Sequence, residues 1–522
     1  MKKIYINVIL YSLILFSIFS AILIGIGWDE SAIVVIAKLR LKYLFSLGML
    51  DYNPLSFSHY YPGTYPVIAI FITQLFHKSY EIEILHILNS FVGISAIFGI
   101  SKIARELFNK KVGYIVFLIS FFNPVFFGHM AINERDILIA FCNIWMSYTL
   151  IKYFKYHYIK EKRNKYVVTL GILFGLGISC RLAFFVTLLP IFIFLTIDSI
   201  YQRKICKGQL LIKKFLKNIL ISVLIAYFVL IIFWPEVYPN ILVLPFSFFY
   251  ETFDFSFGVR QGLINGVFFD TFHPPLNYIF VLLSYKLPEY FILSYFLFFL
   301  ILIKDSFFLK KTISHFYYKI ILIVLIIIFP NFLLLISPYA IYDNLRLFLY
   351  LIPYLSIIPA IVIFYLLENF RLKLNKIIFV SVSILFIYCI YNFFSLTPYQ
   401  YTYLNIFSGK FSESYKKFES DYWATSMGEL LKKTNFKKKN HIKLALCGMG
   451  KGHAKLVLKK NNFRNITIVS LNDNYDYIMM TNRVYALNDK NFKVCYDQFP
   501  GKTISSVERK GLTLSLIRSN II

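Results

Sequence analysis

The sequence predicts an all-α polytopic membrane protein that carries a small C-terminal α/β domain. Of its 522 residues, 58% are hydrophobic and 16% are charged, whereas about 25% are charged in a typical soluble domain. The apolar residues fall into runs of about 20, the length at which a helix spans a bilayer. From about residue 396 the composition is that of a soluble protein. A single soluble globule is therefore excluded.

Eleven apolar segments reach the length that a membrane helix needs, since unpaired backbone groups are not tolerated in lipid. The first is expected to be a retained anchor, because its apolar stretch is long and no convincing small-x-small cleavage site follows it. Residues 166–200 are compatible with one long span or two short ones. The segments lie near residues 5–26, 84–104, 112–128, 136–156, 166–180, 182–200, 214–235, 289–304, 317–337, 347–367 and 375–395.

Charges between these segments predict the orientation. With a cytoplasmic N-terminus, the inner segments up to residue 395 hold 25 Lys and Arg against 9 outside, and 13 of 18 Asp and Glu lie outside. An excess of Lys and Arg marks cytoplasmic loops, and an odd number of spans places the tail outside. We expect a multi-pass protein of the plasma (inner) membrane. Its net charge of +28 is spread over short loops, so nucleic acid is not an expected partner.

The chain divides by composition into a transmembrane domain, residues 1–395, and a soluble extracytoplasmic domain, residues 396–522. Long outer loops are expected over 27–83 and 236–288. In the tail, HIKLALC, KGHAKLVLKKN, ITIVSL and DYIMMTN are typical of strand, helix, strand and strand. The intervening GMGKG has the spacing G-x-G-x-G and no evident ribose-binding acid, so a dinucleotide site is not favoured.

The six cysteines form no C-x-x-C pair and no metal-like spacing. Four of them lie in or beside apolar runs and are expected to be small core residues. The sequence leaves open whether Cys447 and Cys495 in the tail pair with each other.

Two acidic groups are predicted at the same outer membrane surface. Asp29 and Glu30 follow the first span, and Glu134, Arg135 and Asp136 precede the fourth. A carboxylate at the end of a span is costly unless it is paired, hydrated or metal-bound, and grouped carboxylates suit base catalysis or cation binding. Simple solvation at the interface is the alternative for each residue.

Two arginines, Arg181 in GISCRLAF and Arg346 in YDNLRLF, are predicted near the same surface. Guanidinium is the natural fork for a phosphate, although Arg181 is also compatible with an ordinary snorkelling side chain.

Three histidines, His59, His129 and His273, lie near or in the outer loops. Each is compatible with a metal ligand or with a hydrogen-bonded loop residue. Beside His59, Tyr60 and Tyr61 share a proline-containing loop and are candidates for stacking on a sugar.

Several motifs together resemble the GT-C superfamily of membrane glycosyltransferases. Within it, the chain is similar to the family 39 group of protein O-mannosyltransferases and aminoarabinose-transferase-like bacterial members. The resemblance is carried by GWDE after the first span and by FFNPVFFGHMAINERDILIAF, which resembles F-x-G-H-x-x-x-N-P-K-D-x-P-x-A. Glu134-Arg135 stands where that pattern has Pro-Lys. Further similar segments are YDNLRLFLYLIPYL, PYQYTYLNIFSGKF and ESDYWATS.

The resemblance implies an enzyme that moves a sugar from a polyprenyl-phosphate donor to an acceptor hydroxyl at the extracytoplasmic face. Such an enzyme inverts the anomeric carbon in one displacement. Protein, lipid and glycan acceptors stay open, as does a divalent cation such as Mg²⁺ or Mn²⁺. The implied assignments are Asp29 as base with Glu30 beside it; Arg135, Arg181 and Arg346 for the donor phosphate; Glu134, Asp136, His129 and His273 for a metal or for orientation; and His59, Tyr60 and Tyr61 for sugar or acceptor.

Two other classes of membrane protein are considered. A transporter or lipid flippase would more often carry ionisable residues near the bilayer midplane and paired halves, which the sequence does not show. A polyprenyl-linked glycan ligase or polymerase is also compatible with the composition. The pairing of GWDE with NERD favours transfer of a single sugar.

Overall fold

The computed structural model describes residues 2–206, 211–252, 261–337, 339–436, 441–488 and 491–520. The first 395 residues are helical apart from short connections and one hairpin, and the C-terminal part carries a sheet, as predicted. The last of the predicted outer loops, 236–288, includes residues 253–260, which lie outside the described residues.

Eighteen helices are described in the first 395 residues. Several are shorter than a bilayer is thick, because turns and prolines divide the apolar runs. They are α1 (Lys2–Leu23), α2 (Glu30–Phe45), α3 (Thr64–Thr73), α4 (Glu81–Leu107), α5 (Lys110–Phe121), α6 (Pro124–His129), α7 (Glu134–Tyr156), α8 (Lys160–Cys180), α9 (Leu189–Ile197), α10 (Ile212–Ile231), α11 (Leu244–Glu251), α12 (Tyr278–Lys286), α13 (Glu289–Lys304), α14 (Ser306–Thr312), α15 (Phe316–Ile336), α16 (Ile352–Leu355), α17 (Ile357–Glu368) and α18 (Lys373–Ser395).

Seven helical segments of the described chain are long and apolar enough to cross a membrane, and an eighth is obtained if α12 and α13 form one span bent by 111°. The chain is therefore an integral membrane protein. The predicted number of eleven crossings stays a prediction, because α8 and the shorter helices fall outside this set. The seven segments are Lys78–Leu107, Glu134–Tyr156, Leu182–Gln202, Ile212–Ile231, Phe316–Ile336, Arg346–Glu368 and Lys373–Ser395.

The predicted span 112–128 is broken into α5 and α6. Asn123 lies at the break, where its side chain accepts a hydrogen bond from the backbone N–H of Phe126, and Pro124 takes the first position of α6. Asparagine at the cap and proline at the first turn both favour a new helix start. The break turns α6 so that Gly128 lies directly against the backbone of Tyr401.

Helix α7 lies at the centre of the helical part. It packs against α4, α8 and the 3₁₀ segment Arg346–Leu351 that leads into α16. Polar side chains on α7 are satisfied inside the bundle, since the hydroxyl of Tyr354 donates to Asn143 at 3.0 Å and contacts Ser147 at 2.8 Å. These hydrogen bonds join the middle of α7 to α16.

The first predicted outer loop, 27–83, contains the helices α2 and α3. Its middle is fixed by Arg40 of α2, which is buried and donates to the carbonyls of Ser58 and Tyr61 at 2.9 and 2.8 Å. The same guanidinium pairs with Glu236 at 2.6 Å. Because Glu236 begins the second predicted outer loop, this ion pair joins the two outer regions.

The C-terminal part contains a five-stranded sheet in the order β4-β3-β5-β9-β8, with β4, β3 and β5 parallel and β9 antiparallel to β5 and β8. Two short hairpins, β1-β2 in the second outer region and β6-β7, accompany it. The elements are β1 (Gln261–Ile264), β2 (Val267–Asp270), α19 (Met427–Lys433), β3 (Ile442–Cys447), α20 (Lys451–Lys460), β4 (Ile466–Ile468), β5 (Tyr477–Thr481), β6 (Val484–Asn488), β7 (Asn491–Val494), α21 (Cys495–Gln498), β8 (Lys502–Arg509) and β9 (Leu512–Ser519).

The strand, helix, strand and strand predicted in the tail are confirmed as β3, α20, β4 and β5. Cys447 and Cys495 form a disulfide, and the other four cysteines are buried and unpaired.

The C-terminal part packs on the segment that follows α1. The backbone N–H of Trp28 donates to the carbonyl of Trp423 at 3.0 Å, and His453 Nε2 contacts the carbonyl oxygen of Ile26 at 2.8 Å. A Cβ atom on Gly25 would lie 2.0 Å from the carbonyl oxygen of Thr425, so glycine is required there. The sheet therefore lies against the beginning of α2, where the candidate site is found.

Candidate functional site

Asp29 lies at the N-cap of α2, and its side chain is 31% exposed. The Oδ2 atom accepts a hydrogen bond from Arg346. Within the described part of the chain, Oδ1 of Asp29 has no hydrogen-bond partner. One oxygen of this carboxylate is thus held, and the other is available at the surface.

Arg346 connects three carboxylates from separate parts of the chain. Its guanidinium donates to Asp29, to Asp136 Oδ2 at 3.0 Å and to Asp343 Oδ2 at 2.9 Å. The side chain is 6% exposed and lies over the ring of Trp423 at 4.2 Å. Removing such a cation from a buried group of carboxylates is costly, because the remaining charges lose their compensation.

Two further arginines extend this group. Arg181 donates from Nε and Nη2 to Asp136 Oδ1 at 3.2 and 2.9 Å. Arg483, in the C-terminal part, donates to Asp343 Oδ1 at 2.6 Å and lies over the ring of Trp28 at 4.9 Å. We refer to the six residues Asp29, Asp136, Asp343, Arg181, Arg346 and Arg483 as the paired network. Its three carboxylates and three guanidinium groups balance in charge.

The pKa of Asp29 is set by two opposing effects. Burial raises the pKa, but the guanidinium groups of Arg346, Arg135 and Arg181 outweigh it, and the pKa lies below the ordinary value of 3.8. The carboxyl group is therefore ionised at neutral pH and is able to accept a proton.

Beside the paired network lie two ionisable side chains that form no ion pair within the described chain. Neither carboxylate oxygen of Glu134 has a hydrogen-bond partner among the described residues, although the residue is only 3% exposed. The guanidinium of Arg135 lies 4.0 Å from the ring centroid of Tyr61 and forms no ion pair within the described chain. We refer to Glu134 and Arg135 as the unpaired pair.

The unpaired pair lines a cavity between α2, α3, α7 and the end of α8. Its wall also includes Arg40, Tyr61 and Ser179. The two predicted acidic groups are therefore brought together with all three predicted phosphate-binding arginines.

Glu30 does not line this cavity. It is 1% exposed, its Oε1 contacts His86 Nε2 at 2.7 Å, and its Oε2 accepts a hydrogen bond from the backbone N–H of Gly27. Since His86 lies on α4 and also contacts the carbonyl oxygen of Ala21 at 3.1 Å, Glu30 ties the start of α2 to the bundle.

The four residues predicted for a metal do not form one ligand group. Both nitrogens of His129 are engaged, Nδ1 with the carbonyl of Val125 at 2.7 Å and Nε2 with the hydroxyl of Tyr422 at 2.6 Å. Both oxygens of Asp136 accept from arginines, and His273 is 82% exposed beside Asp270.

Across the described residues, no three His, Cys, Asp or Glu side chains are grouped in a way that could hold a metal ion. Among the described residues, the oxygens of Glu134 and the Nε2 atom of His273 have no hydrogen-bond partner, but neither belongs to a group of three such side chains. The donor set therefore does not fit a divalent cation.

His59 and Tyr60 lie beside the second outer region, at a distance from the unpaired pair along the loop. Their rings are in contact, with centroids 3.9 Å apart and planes inclined at 50°, and His59 also lies 4.8 Å from the ring of Phe248. Both side chains approach Glu251, at 4.0 Å for His59 Nε2 and 3.4 Å for the hydroxyl of Tyr60. Of the predicted sugar contacts, Tyr61 is the one that lines the cavity.

Sequence reasoning missed Arg483 and the ion pair of Arg40 with Glu236. Arg483 lies in the soluble tail outside any motif, and its contact with Asp343 spans 140 residues. A buried arginine in α2, among apolar residues in IVVIAKLRL, was the local signal that could have pointed to Arg40.

Comparisons with known proteins support the resemblance seen in the sequence. Residues 62–238, about a third of the chain, match the family model of the dolichyl-phosphate-mannose-protein mannosyltransferases. No protein of curated description shows significant sequence similarity to the chain.

Two solved structures share the fold over the whole chain. ArnT from Cupriavidus metallidurans bound to undecaprenyl phosphate is 10% identical with a TM-score of 0.53, and the alignment covers 100% of this chain and 99% of that one. ArnT from the same organism in the apo state is 11% identical with a TM-score of 0.51 and covers 99% and 98%. The chain thus has the GT-C fold predicted from its motifs, and its residues 62–238 are similar to the protein mannosyltransferase family.

Proposed function

We propose that the protein is an integral membrane glycosyltransferase that moves a sugar from a polyprenyl-phosphate donor to an acceptor hydroxyl. The observation that carries the proposal is the half-exposed carboxylate of Asp29 beside three guanidinium groups, one of them unpaired. That arrangement supplies a base and a phosphate site within one outer-facing region. The fold shared with ArnT, which binds undecaprenyl phosphate, supports it.

The reaction we propose takes place on the extracytoplasmic side, with the N-terminus in the cytoplasm. The distribution of Lys and Arg along the chain supports this orientation. The Cys447–Cys495 disulfide supports it independently, because disulfides persist outside the cytoplasm. In this proposal residues 396–522 form an extracytoplasmic domain, and residues 1–395 carry the donor site.

The chemical step is one displacement at the anomeric carbon. The acceptor oxygen forms a bond to that carbon while the bond from carbon to phosphate oxygen breaks, and the electron pair leaves with the lipid phosphate. Asp29 Oδ1 takes the proton of the acceptor hydroxyl, because it is the free and exposed atom of an ionised carboxylate. The configuration at the anomeric carbon is inverted, because the acceptor oxygen attacks from the face opposite to the phosphate.

The lipid phosphate is bound first by Arg135. Its guanidinium forms no ion pair within the described chain, so binding breaks no existing one. Arg181 is 27% exposed and keeps Nη1 free of hydrogen bonds to described residues, which suits it as a second contact. Arg346 is fully engaged by carboxylates and acts on the phosphate through its charge.

Other proposed roles follow from position. Tyr61 contacts the donor where it lines the cavity, and His59 and Tyr60 contact the acceptor from the second outer region. Asp136 orients Arg181 and Arg346. No step is assigned to a divalent cation, because His129 and Asp136 have no free ligand atoms, and a chelator tests this directly.

The test is a transfer assay with detergent-purified protein. Radiolabelled polyprenyl-phosphate monosaccharides are offered with a cell-envelope extract as acceptor, with and without chelator. We expect label to move to the acceptor with wild-type protein and not with Asp29→Asn. Asp51→Asn, an exposed aspartate of the same outer region, is the matched control and is expected to retain activity.

The assay also separates the competing functions. Binding of a polyprenyl lipid without transfer of label from any donor would point to a flippase. Transfer only from pyrophosphate-linked glycans would point to a ligase or polymerase. Equal transfer by wild-type and Asp29→Asn proteins would show that Asp29 is not the base.

A further inference from the structure

The carboxyl group of Glu134 lies at the wall of the cavity beside Arg135. It is 3% exposed, and neither oxygen has a hydrogen-bond partner among the described residues. Buried polar groups in folded proteins are normally hydrogen-bonded. Two unpartnered oxygens at the wall of a cavity, next to the proposed base and phosphate site, are suited to a ligand that hydrogen-bonds with them.

The protein itself does not supply the compensation. The adjacent cation, Arg135, directs its guanidinium to the ring of Tyr61 at 4.0 Å. Arg40, which also lines the cavity, forms an ion pair with Glu236 and donates hydrogen bonds to the carbonyls of Ser58 and Tyr61. Asp29, Asp136 and Asp343 each have a guanidinium partner, whereas Glu134 has none among the described residues.

On the basis of the proposed function, we infer that Glu134 binds a hydrogen-bond donor on the ring of the transferred sugar, either a hydroxyl or an ammonium group. The two side chains of the unpaired pair would then bind different parts of the donor. Arg135 binds the phosphate, and Glu134 binds the sugar attached to it. A phosphate and a hydrogen-bond-donating sugar are complementary to a neighbouring guanidinium and carboxylate.

The size of the cavity adds a condition. Its volume is about 20 Å³, which is room for about one water molecule. Tyr61 closes it by stacking on Arg135. In this inference a sugar enters only when the ring of Tyr61 moves. The donor phosphate displaces the ring, because both bind the guanidinium of Arg135.

The resemblance stated for this segment makes the inference specific to this chain. The family pattern has proline at the position of Glu134, so the carboxylate is a departure from that pattern. A residue that departs from the family pattern at the wall of the proposed sugar cavity is suited to determine which sugar the enzyme accepts.

The test measures binding of three lipids to detergent-purified protein. They are undecaprenyl phosphate, undecaprenyl-phosphate mannose and undecaprenyl-phosphate glucosamine. We expect Glu134→Gln to weaken binding of at least one sugar-bearing lipid by about 10- to 100-fold, the effect of losing a hydrogen bond to a charged group. Binding of undecaprenyl phosphate should stay within a factor of about two. The matched control is Glu81→Gln, which also removes a carboxylate from the first turn of a long helix, α4.

The pattern of losses identifies the group that is bound. A loss with both sugar lipids indicates a hydroxyl, and a loss confined to glucosamine indicates the ammonium. Thermal stability of Glu134→Gln should be unchanged or higher, because the carboxyl group makes no hydrogen bond to the described residues that the amide would lose. A lower melting temperature with unchanged sugar binding would show a structural role and overturn the inference.

The outcomes also separate this inference from the proposed function. If wild-type protein binds none of the three lipids, the proposed function fails. If it binds them and Glu134→Gln changes all three affinities equally or not at all, the proposed function stands and the assignment of Glu134 is wrong.

Discussion

Two neighbouring groups of charges differ in how they are satisfied. In the paired network, Arg346 alone contacts three carboxylates, and Arg181 and Arg483 engage the remaining oxygens of Asp136 and Asp343. In the unpaired pair, a buried carboxylate and a guanidinium lie side by side in the sequence, and neither has an ionic partner within the described chain. Both groups lie around the first turn of α7.

The difference indicates a division of roles. Side chains whose charges are mutually satisfied hold the backbone segments that carry them, and they gain little from a ligand. Side chains whose charges are unsatisfied gain most when a ligand arrives. In our proposal the paired network therefore holds the site and positions the base, while the unpaired pair binds the donor.

The largest effect is expected for Arg346→Gln. Because three carboxylates lose their shared cation, we expect a loss of about 3–5 kcal/mol in stability together with loss of transfer. The measurement is thermal unfolding in detergent followed by the transfer assay. The exposed Arg371→Gln serves as control, and equal stability of the two variants would show that the paired network does not hold the fold.

Asp29→Asn is expected to lower the rate of transfer by about 100- to 10,000-fold, the usual contribution of a general base. The amide keeps the size of the side chain and leaves Arg346 with two carboxylates. Affinity for undecaprenyl phosphate, measured by titration, should therefore be unchanged. A comparable loss of lipid binding would place Asp29 in the donor site and not at the acceptor.

The pH dependence of transfer provides a smaller and more specific test. The pKa of Asp29 is lowered, so its carboxylate persists until the pH falls below the ordinary aspartate value of 3.8. The acid limb of kcat/KM should accordingly lie below that value. In Arg135→Gln it should move upward, because Arg135 is one of the groups that lower the pKa. A limb at the same pH in both proteins would show that Asp29 does not control it.

The smallest effect is expected for Arg509→Ala, remote from the site. Arg509 pairs with Glu429 at 2.7 Å, and the pKa of Glu429, which burial raises, is lowered to about 2 by Arg509, Lys433 and Tyr399. This partly exposed pair contributes about 1 kcal/mol or less. Because the folded pKa is depressed, its contribution is present above pH 4.5 and is lost as the pH falls toward 2. Unfolding curves of both proteins across that range measure it.

Much of the fold was predictable because membrane helices leave a strong signal in composition. The predicted spans coincide with helices, and β3, α20, β4 and β5 were placed correctly in the tail. The helices α2 and α3 within the predicted outer loop 27–83 were not identified from the sequence. The break between α5 and α6 was missed, although Asn123-Pro124 is a recognisable helix start.

The site was predictable only where topology placed residues at one membrane surface. That reasoning placed Asp29, Asp136 and Arg346 at one surface, and the structure brings them into contact. It did not identify pairings across long stretches of sequence, such as Arg483 with Asp343. A sequence also does not show which histidine already has hydrogen-bond partners. The hydroxyl that contacts His129 belongs to Tyr422, 293 residues away.

The most direct test of the division between the two groups is the affinity for undecaprenyl phosphate, measured for wild type, Arg135→Gln and Arg483→Gln. We predict that Arg135→Gln weakens binding by about 10- to 100-fold with an unchanged melting temperature. Arg483→Gln should lower the melting temperature and leave the affinity of the folded protein unchanged. The reverse pattern, a stability loss from Arg135→Gln and a binding loss from Arg483→Gln, would contradict the account.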